Sequence, residues 1–237
     1  MAHTFYKVNE IFVSIQGEGV RRGIPSVFLR LAQCNLRGTC WKSGGCDTEF
    51  DKYYVSDVDT IVEEIKKSVN IKDIVLTGGE PTLQYLNPLV SALYKAGYRI
   101  TMETNGLLYP ASAIEYLYLY SCSPKFSNFK VEYQSKVTDN IVRTILIEKP
   151  TQIKFVVSNE EDIRFSKNII QDIVKHVGYP YEVKHNYSIF FQPHETESTY
   201  TNLYFYGDLI KKFKKDRLLN KVEARFSLQD HKVLGLE

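Results

Sequence analysis

Short apolar runs of strand length alternate along the chain with longer stretches whose apolar positions recur three and four residues apart. The strand-like runs are Ile11–Ile15, Val27–Ala32, Ile74–Thr77, Tyr98–Met102, Tyr116–Tyr120, Ile153–Val157, Ser188–Phe191 and Val222–Leu228. Helical periodicity predicts one element from Ser56 to about Val69, where Ile61, Val62 and Ile65 share a face behind an S-x-x-D start, and another from Leu83 to Ala96, closed by Gly97. Further helices are expected around Asp139–Leu146, from the Ser158–Glu161 capping box to about Val177, and from about Tyr200 to Leu218. On the last, Lys211, Lys212, Lys214 and Lys215 read as a solvated face. Strands alternating with helices predict an α/β fold with a mostly parallel sheet and right-handed crossovers. No repeat, low-complexity tract or linker divides the chain, so residues 1–237 read as a single domain, with the polar stretch 126–151 a candidate variable insertion. Periodicity alone does not say whether the sheet curls into a barrel.

The polar residues add a second pattern. They gather in glycine- or proline-containing turns just after the predicted strands: Gln16-Gly17-Glu18-Gly19, Gly78-Gly79-Glu80-Pro81, Glu103-Thr104-Asn105-Gly106, Ser121-Cys122-Ser123-Pro124-Lys125, Gln192-Pro193 and Gln229-Asp230-His231-Lys232. The C-terminal ends of strands are where α/β sheets and barrels bind ligands. Taken alone, Glu18 would be a solvated turn residue. Arg30, inside an apolar run, belongs either on an exposed face or against a carboxylate or phosphate.

Three of the four cysteines, Cys34, Cys40 and Cys46, fall within thirteen residues, with Gly38, Gly44 and Gly45 between them. A structural zinc site wants four ligands, usually in two close pairs, and here the fourth cysteine is the distant Cys122. Four cysteines in a chain without a signal-peptide pattern argue against a disulfide framework. An iron–sulfur cluster on three thiolates is the third reading, and it leaves one iron open to a ligand.

Composition bounds the function more loosely. The 30 Lys and Arg nearly balance the 28 Asp and Glu, so no strong field points to nucleic acid or an anionic membrane, while a small anionic substrate stays open. No stretch approaches the roughly 18 apolar residues of a membrane span, and the first residues carry no secretion signal, so the expected setting is cytoplasmic. The 17 Tyr and 13 Phe are spread along the chain and read as packing.

An open iron suits a chelating amine and carboxylate, which S-adenosylmethionine offers together, and a reduced cluster can cleave its sulfonium to a carbon radical. Binding that molecule needs acceptors for an ammonium, donors for a carboxylate and polar groups for a ribose. The glycine-containing turns supply such groups at consecutive strand ends.

The three-cysteine loop followed by G-G-E-P resembles the radical S-adenosylmethionine superfamily. The blocks E-I-F-V-S-I-Q-G-E-G, F-L-R-L-A-Q-C-N-L, C-D-T, L-T-G-G-E-P-T-L-Q, E-T-N-G, S-P-K, Q-P and S-L-Q-D-H-K-V-L-G, in order from Glu10 to Gly235, more closely resemble the 7-carboxy-7-deazaguanine synthase family. That resemblance implies a partial or modified (β/α) barrel, usually a homodimer. The implied reaction is a carbon–nitrogen lyase reaction converting 6-carboxy-5,6,7,8-tetrahydropterin to 7-carboxy-7-deazaguanine with loss of ammonia, towards queuosine-type 7-deazaguanines. It also implies a 4Fe-4S cluster on Cys34, Cys40 and Cys46, and S-adenosyl-L-methionine among Gly79, Glu80, Thr104, Asn105, Ser123, Lys125 and Gln192. A magnesium ion (Mg2+) would sit on Thr48, and the pterin among Gln16, Glu18, Arg30 and His231, the last two with a catalytic part. An electron donor such as flavodoxin would complete the system, with neither nucleic acid nor membrane as partner.

The chain departs from the superfamily's C-x-x-x-C-x-x-C spacing, because five residues separate each neighbouring pair of cysteines. Cys34 and Cys46 align through Q-C-N-L and C-D-T, which leaves Cys40 as the middle ligand of an expanded loop. The aromatic residue usual before the third cysteine is replaced by Gly45, and Trp41 is expected to pack near the cluster or adenine instead. Cys122 reads as a small buried hydrophobe. Two other functions fit parts of the pattern: another radical S-adenosylmethionine enzyme such as a glycyl-radical activase, which would lack the pterin residues, and a zinc-stabilised α/β binding module, which would need four metal ligands.

Overall fold

The computed structural model describes residues 4–37, 49, 51–68, 70–125, 131–181, 186–194, 207, 211, 213 and 215–236. Nine strands form one sheet: β1 (Phe5–Ile15), β2 (Pro25–Leu31), β3 (Tyr54–Asp57), β4 (Asp73–Gly78), β5 (Arg99–Thr104), β6 (Leu119–Cys122), β7 (Thr151–Val157), β8 (Tyr187–Pro193) and β9 (Arg225–Phe226), in the order β3-β1-β2-β4-β5-β6-β7-β8-β9. From β2 to β9 every neighbouring pair is parallel. The exception is the β1 edge, which pairs antiparallel with both β2 and β3. The crossovers carry α1 (Val58–Lys66), α2 (Asn87–Lys95), α3 (Val131–Leu146) and α4 (Glu160–Val177), and α5 (Arg217–Lys221) and α6 (Asp230–Val233) follow β8 and β9.

The helices α1 to α4 cover one face of the sheet. Ile61 and Ile65 of α1, Leu89 and Leu93 of α2, Val137 and Ile141 of α3, and Ile169, Ile170 and Ile173 of α4 are buried in one core with Leu76, Met102, Ile153 and Phe155 of the strands. Each such side chain contributes about 1.5–3 kcal/mol by leaving water, before conformational entropy is counted. At the N-terminal ends of β4 and β5, Asp73 accepts from Arg21 and Arg99, each at 2.5 Å, and these charges tie the turn after β1 to the strands.

Several boundaries differ from the periodic pattern for local reasons. The first strand begins at Phe5, six residues before the apolar run, because Lys7, Asn9 and Glu10 lie on the partly exposed antiparallel edge where polar residues are tolerated. Ser56 belongs to β3, which the pattern missed, and Asp57 is the true cap of α1, accepting from Thr60 N at 2.8 Å. Pro81–Leu83 form a 3-10 turn capped by Glu80, so α2 starts at Asn87 rather than Leu83. Ile114–Tyr116 form another such turn, and β6 runs from Leu119 into Cys122 instead of starting at Tyr116. Asn159, not Ser158, caps α4, accepting from Glu161 N and Asp162 N. The helix expected from Tyr200 falls largely outside the described residues. It does not run on to Leu218, because Asp216 interrupts it and caps the separate α5. Only Arg225–Phe226 of the run Val222–Leu228 are strand, since Val222 closes α5.

Candidate active site

Side chains alternate between the faces of a strand, so register reads off what lies opposite the helices. Arg30 pairs with Thr77, Glu103 with Ser121 and Ser121 with Gln152, while Val156 of β7 pairs with Gln192 of β8. Thr77 Oγ1 donates to Glu103 Oε2 at 3.1 Å and Gln152 Nε2 to Ser121 Oγ at 2.8 Å, so the second face of β4 to β7 carries a connected polar row. Five strand spacings separate β1 from β7, about 24 Å if the sheet were flat. Yet Glu18, three residues beyond β1, forms an ion pair with Lys154 of β7, and Val20 N donates to Gln152 Oε1 at 2.9 Å. The sheet therefore curls, and the Gln16–Gly19 turn folds over its concave face.

That turn and the row build the first anionic centre. Lys154, 4% exposed, pairs with Glu18 and lies 3.4 Å from Glu103 Oε1. Gln192 Nε2 and Gln229 Nε2 donate to Glu18 Oε1 at 2.8 and 2.6 Å, and Gln16 Nε2 donates to Glu103 Oε1 at 3.2 Å. Burial pushes the Glu18 carboxyl up, but the Lys154 charge and the hydrogen bonds from Lys154, Gln192 and Gln229 outweigh it and hold the group down at about 2. Burial alone would lower the Lys154 ammonium, but the charges of Glu103 and Glu18 raise it. Gln192 Oε1 is a buried acceptor with no partner among the described residues, as a donor from a ligand would require. The C-terminal segment holds the turn from outside: Asp230 N donates to Gly17 O at 3.2 Å, Gly19 N to Ser227 Oγ at 3.1 Å, and Asp230 pairs with Arg22. A Cβ on Gly17 would stand 2.0 Å from His231 Nδ1, so the ring packs directly on the turn.

The second centre is Glu80, whose carboxyl is fully buried just beyond β4. It accepts from Thr82 N (3.1 Å), Thr82 Oγ1 (2.5 Å), Thr104 Oγ1 (2.8 Å) and Asn105 N (2.7 Å), and has no cation partner among the described residues. Burial raises its carboxyl pKa, with the hydrogen bonds from Asn105, Thr82 and Thr104 opposing. The cysteine loop starts beside it. Glu80 N donates to Gln33 O at 2.8 Å, Gly79 N to Leu31 O at 3.0 Å, and Asn105 Nδ2 to Asn35 Oδ1 at 2.8 Å. A Cβ on Gly79 would fall 2.1 Å from Gln33 O, so only glycine lets the two backbones approach this closely. Cys34 Sγ accepts from Leu36 N at 3.4 Å, the sort of N–H contact that stabilises a metal-bound thiolate.

The structure thus brings Gly79, Glu80, Thr104, Asn105 and Cys34 together, and Gln16, Glu18 and Gln192 together. Gln192, expected at the cofactor, bonds Glu18 of the pterin set. Lys125 Nζ donates to Ser123 Oγ at 3.2 Å beyond β6. Arg30 lies in the row, paired with Glu10 at 2.7 Å and stacked on Phe12. Cys40, Trp41, Cys46 and Thr48 lie outside the described residues, and no group of three or more His, Cys, Asp or Glu placed to hold a metal occurs among the described ones. Cys122 is fully buried, with its thiol pKa raised by burial, as expected of a small hydrophobe. Sequence reasoning missed Glu103, Lys154, Thr77 and Gln229 as members of the site. A polar residue at every second position of otherwise apolar strands, as in T-M-E-T and Q-I-K-F, was the available signal.

A curled, mostly parallel α/β sheet that gathers acidic and basic side chains on its concave face has the architecture of a partial (β/α) barrel. QueE from Escherichia coli has this fold, with a TM-score of 0.66 at 23% identity over 95% of this chain and 94% of that one. A structure of TYW1 with a lysine-pyruvate adduct bound matches with a TM-score of 0.53 at 16% identity over 82% of this chain and 73% of that one. No family model matches. In sequence, the chain is 33% identical to the 7-carboxy-7-deazaguanine synthase of Rickettsia prowazekii over 99% of its own length and 90% of the relative's. It is 30% identical to that of Methanospirillum hungatei over 97% and 86%. The chain belongs to the 7-carboxy-7-deazaguanine synthase family, within the radical S-adenosylmethionine superfamily.

Proposed function

We propose that this chain converts 6-carboxy-5,6,7,8-tetrahydropterin to 7-carboxy-7-deazaguanine with loss of ammonia, using a 4Fe-4S cluster, S-adenosylmethionine and Mg2+. The observation that carries the reading is a pair of unlike carboxylate centres on one curled sheet: Glu80 beyond the C-terminal end of β4, beside the Cys34 loop with only neutral donors, and Glu18 with Glu103 in the concave row. When bound, the reduced cluster and S-adenosylmethionine supply a carbon radical. Cys34, Cys40 and Cys46 are the thiolates that would hold the cluster, leaving one iron for the cofactor's amine and carboxylate. Glu80 would accept from the ammonium, as a buried carboxylate lacking a cation favours. Asn105, Thr104, Ser123 and Lys125 would offer polar contacts to the rest of the cofactor, and Thr48 an oxygen to magnesium, which prefers oxygen ligands.

Glu18 and Glu103 would offer acceptors to the donor edge of a pterin ring, Gln16 would take part by exchanging its bonds to Glu18 N and Glu103, and the unpartnered Gln192 Oε1 would add another. Arg30 would meet the substrate carboxylate by leaving or sharing its pair with Glu10, and His231 would close over the turn. The active form would be a cytoplasmic homodimer reduced by a donor such as flavodoxin. Phe5, Val13 and Val55, each more than half exposed on the antiparallel edge, offer apolar surface for a second copy. The test is anaerobic reconstitution with S-adenosylmethionine, dithionite, magnesium and 6-carboxytetrahydropterin, with mass spectrometry for the product. Product from the unaltered protein and none from Cys40→Ala is expected. Cofactor cleavage without product would overturn the substrate assignment.

A further inference from the structure

We propose that Lys154 is a positioning residue of this site, a fixed internal counter-ion that keeps Glu18 an anion aimed into the concave face. The proposal rests on the substrate reading above only where substrate kinetics are used.

Its basis is geometric. Lys154 stands in the middle of β7 and is nearly inaccessible, where an unpaired ammonium would be costly. Its Nζ contacts two carboxylates from distant parts of the chain, Glu18 in the turn after β1 and Glu103 on β5. The groups facing Glu18 are few: Lys154 from β7, the neutral amides of Gln192 from β8 and Gln229 from the C-terminal segment, and Glu103 beyond the ammonium. His231 packs on Gly17, and Asp230 is held by Arg22. Lys154 is thus the cation bound directly to Glu18 among the described residues. With Lys154 removed, Glu18 would be a buried carboxylate near Glu103 with two neutral donors, and both burial and the like charge would favour its protonation. A protonated Glu18 would turn an acceptor into a donor and misread an N–H edge.

Lys154→Met tests this on the isolated protein by infrared spectroscopy. In the difference spectrum against the unaltered protein, an added protonated-carboxyl band is expected at neutral pH, lost again in Lys154→Met/Glu18→Gln. In the reconstituted enzyme, KM for 6-carboxytetrahydropterin should rise about a hundredfold. In that variant kcat/KM should increase with pH between about pH 6 and 9, a dependence the unaltered enzyme lacks. Lys154→Arg, which keeps the charge, should remove the band and flatten the profile. No band and no altered profile in Lys154→Met would overturn the proposal. If the band behaves as expected but the unaltered enzyme fails to turn over the pterin, the substrate reading falls and the role of Lys154 stands. Should Lys154→Met not fold, carboxyl 13C NMR of the unaltered protein decides, with Glu18 assigned through Glu18→Gln. A Glu18 that titrates in the ordinary glutamate range or above it would overturn the proposal, and one ionised well below it would support it.

Discussion

Replacing Glu80 with Gln separates the charge of this buried group from its shape. Glutamine keeps an oxygen where Glu80 Oε1 accepts from Thr82 N, Thr82 Oγ1 and Thr104 Oγ1. Its amide NH2 then faces Asn105 N, which loses its 2.7 Å acceptor. An orphaned buried N–H costs about 1–3 kcal/mol, offset in part because the variant no longer buries a charge. Folding stability should therefore fall by at most about 1–3 kcal/mol, to be measured by denaturant unfolding separately from cofactor binding. A hydrogen bond between the cofactor ammonium and a carboxylate is worth about 1.5–3 kcal/mol, so Kd for S-adenosylmethionine should weaken about 10- to 150-fold. The pH dependence supplies a second check. Burial raises the Glu80 carboxyl above its ordinary 4.5, and an ammonium binds the anion, so affinity in the unaltered protein must fall as pH drops through that raised value. The loss approaches about tenfold per pH unit below it, and this carboxyl contributes none in Glu80→Gln. Equilibrium binding to reconstituted protein, with iron content as control, measures both. A Kd within about twofold of the unaltered protein, with the same pH slope, would refute Glu80 as the ammonium acceptor.

Acid stability should report on Glu18. Its carboxyl sits at about 2 in the folded protein against an ordinary 4.5, so its stabilisation is complete above about 4.5 and lost as pH falls towards 2. The shift corresponds to about 3 kcal/mol, and denaturant unfolding at neutral and acid pH should show Glu18→Gln losing less stability on acidification by an amount of that order. An unchanged acid sensitivity would mean that the ion pair with Lys154 adds no net stability. Gly79→Ala places a Cβ 2.1 Å from Gln33 O and 3.0 Å from Cys34 Cβ. Because the first collision is with backbone, the start of the cysteine loop must shift, and iron incorporation should fall several-fold; full iron content in a folded variant would contradict this.

The layered α/β pattern was legible because its cause is local. The helix faces of Ile61, Val62 and Ile65 and the apolar run Ile74–Leu76 both lie in the core where periodicity puts them. The errors came where the chain departs from that period. Lys7 and Asn9 disguised the antiparallel edge, and Pro81 diverted the chain into a 3-10 turn before α2. The turns at strand ends were legible as polar clusters because glycine and polar residues interrupt the apolar period there. Lys154 and Glu103 were harder to see, since a charged residue inside a strand looks like surface until register and curl place it in a closed interior. Gln229 was harder still, because its bond to Glu18 joins residues 211 positions apart.

The two carboxyl centres also differ in their surroundings. Glu18 brings its own cation in Lys154, so its charge is balanced before any ligand arrives, and what it offers is directed acceptance of N–H groups. Glu80 is held by four neutral donors, which fix its position without cancelling its charge. An exogenous cation therefore gains more at Glu80 than at Glu18, because it meets a fixed carboxylate whose burial has raised its pKa and whose electrostatic demand is unmet. Asn105 couples that demand to the cysteine loop, since it donates backbone N–H to Glu80 and side-chain N–H to Asn35, the neighbour of Cys34. If Glu80 takes the cofactor ammonium and Cys34 the cluster as proposed, one residue would link the two, beyond the C-terminal ends of β4 and β5.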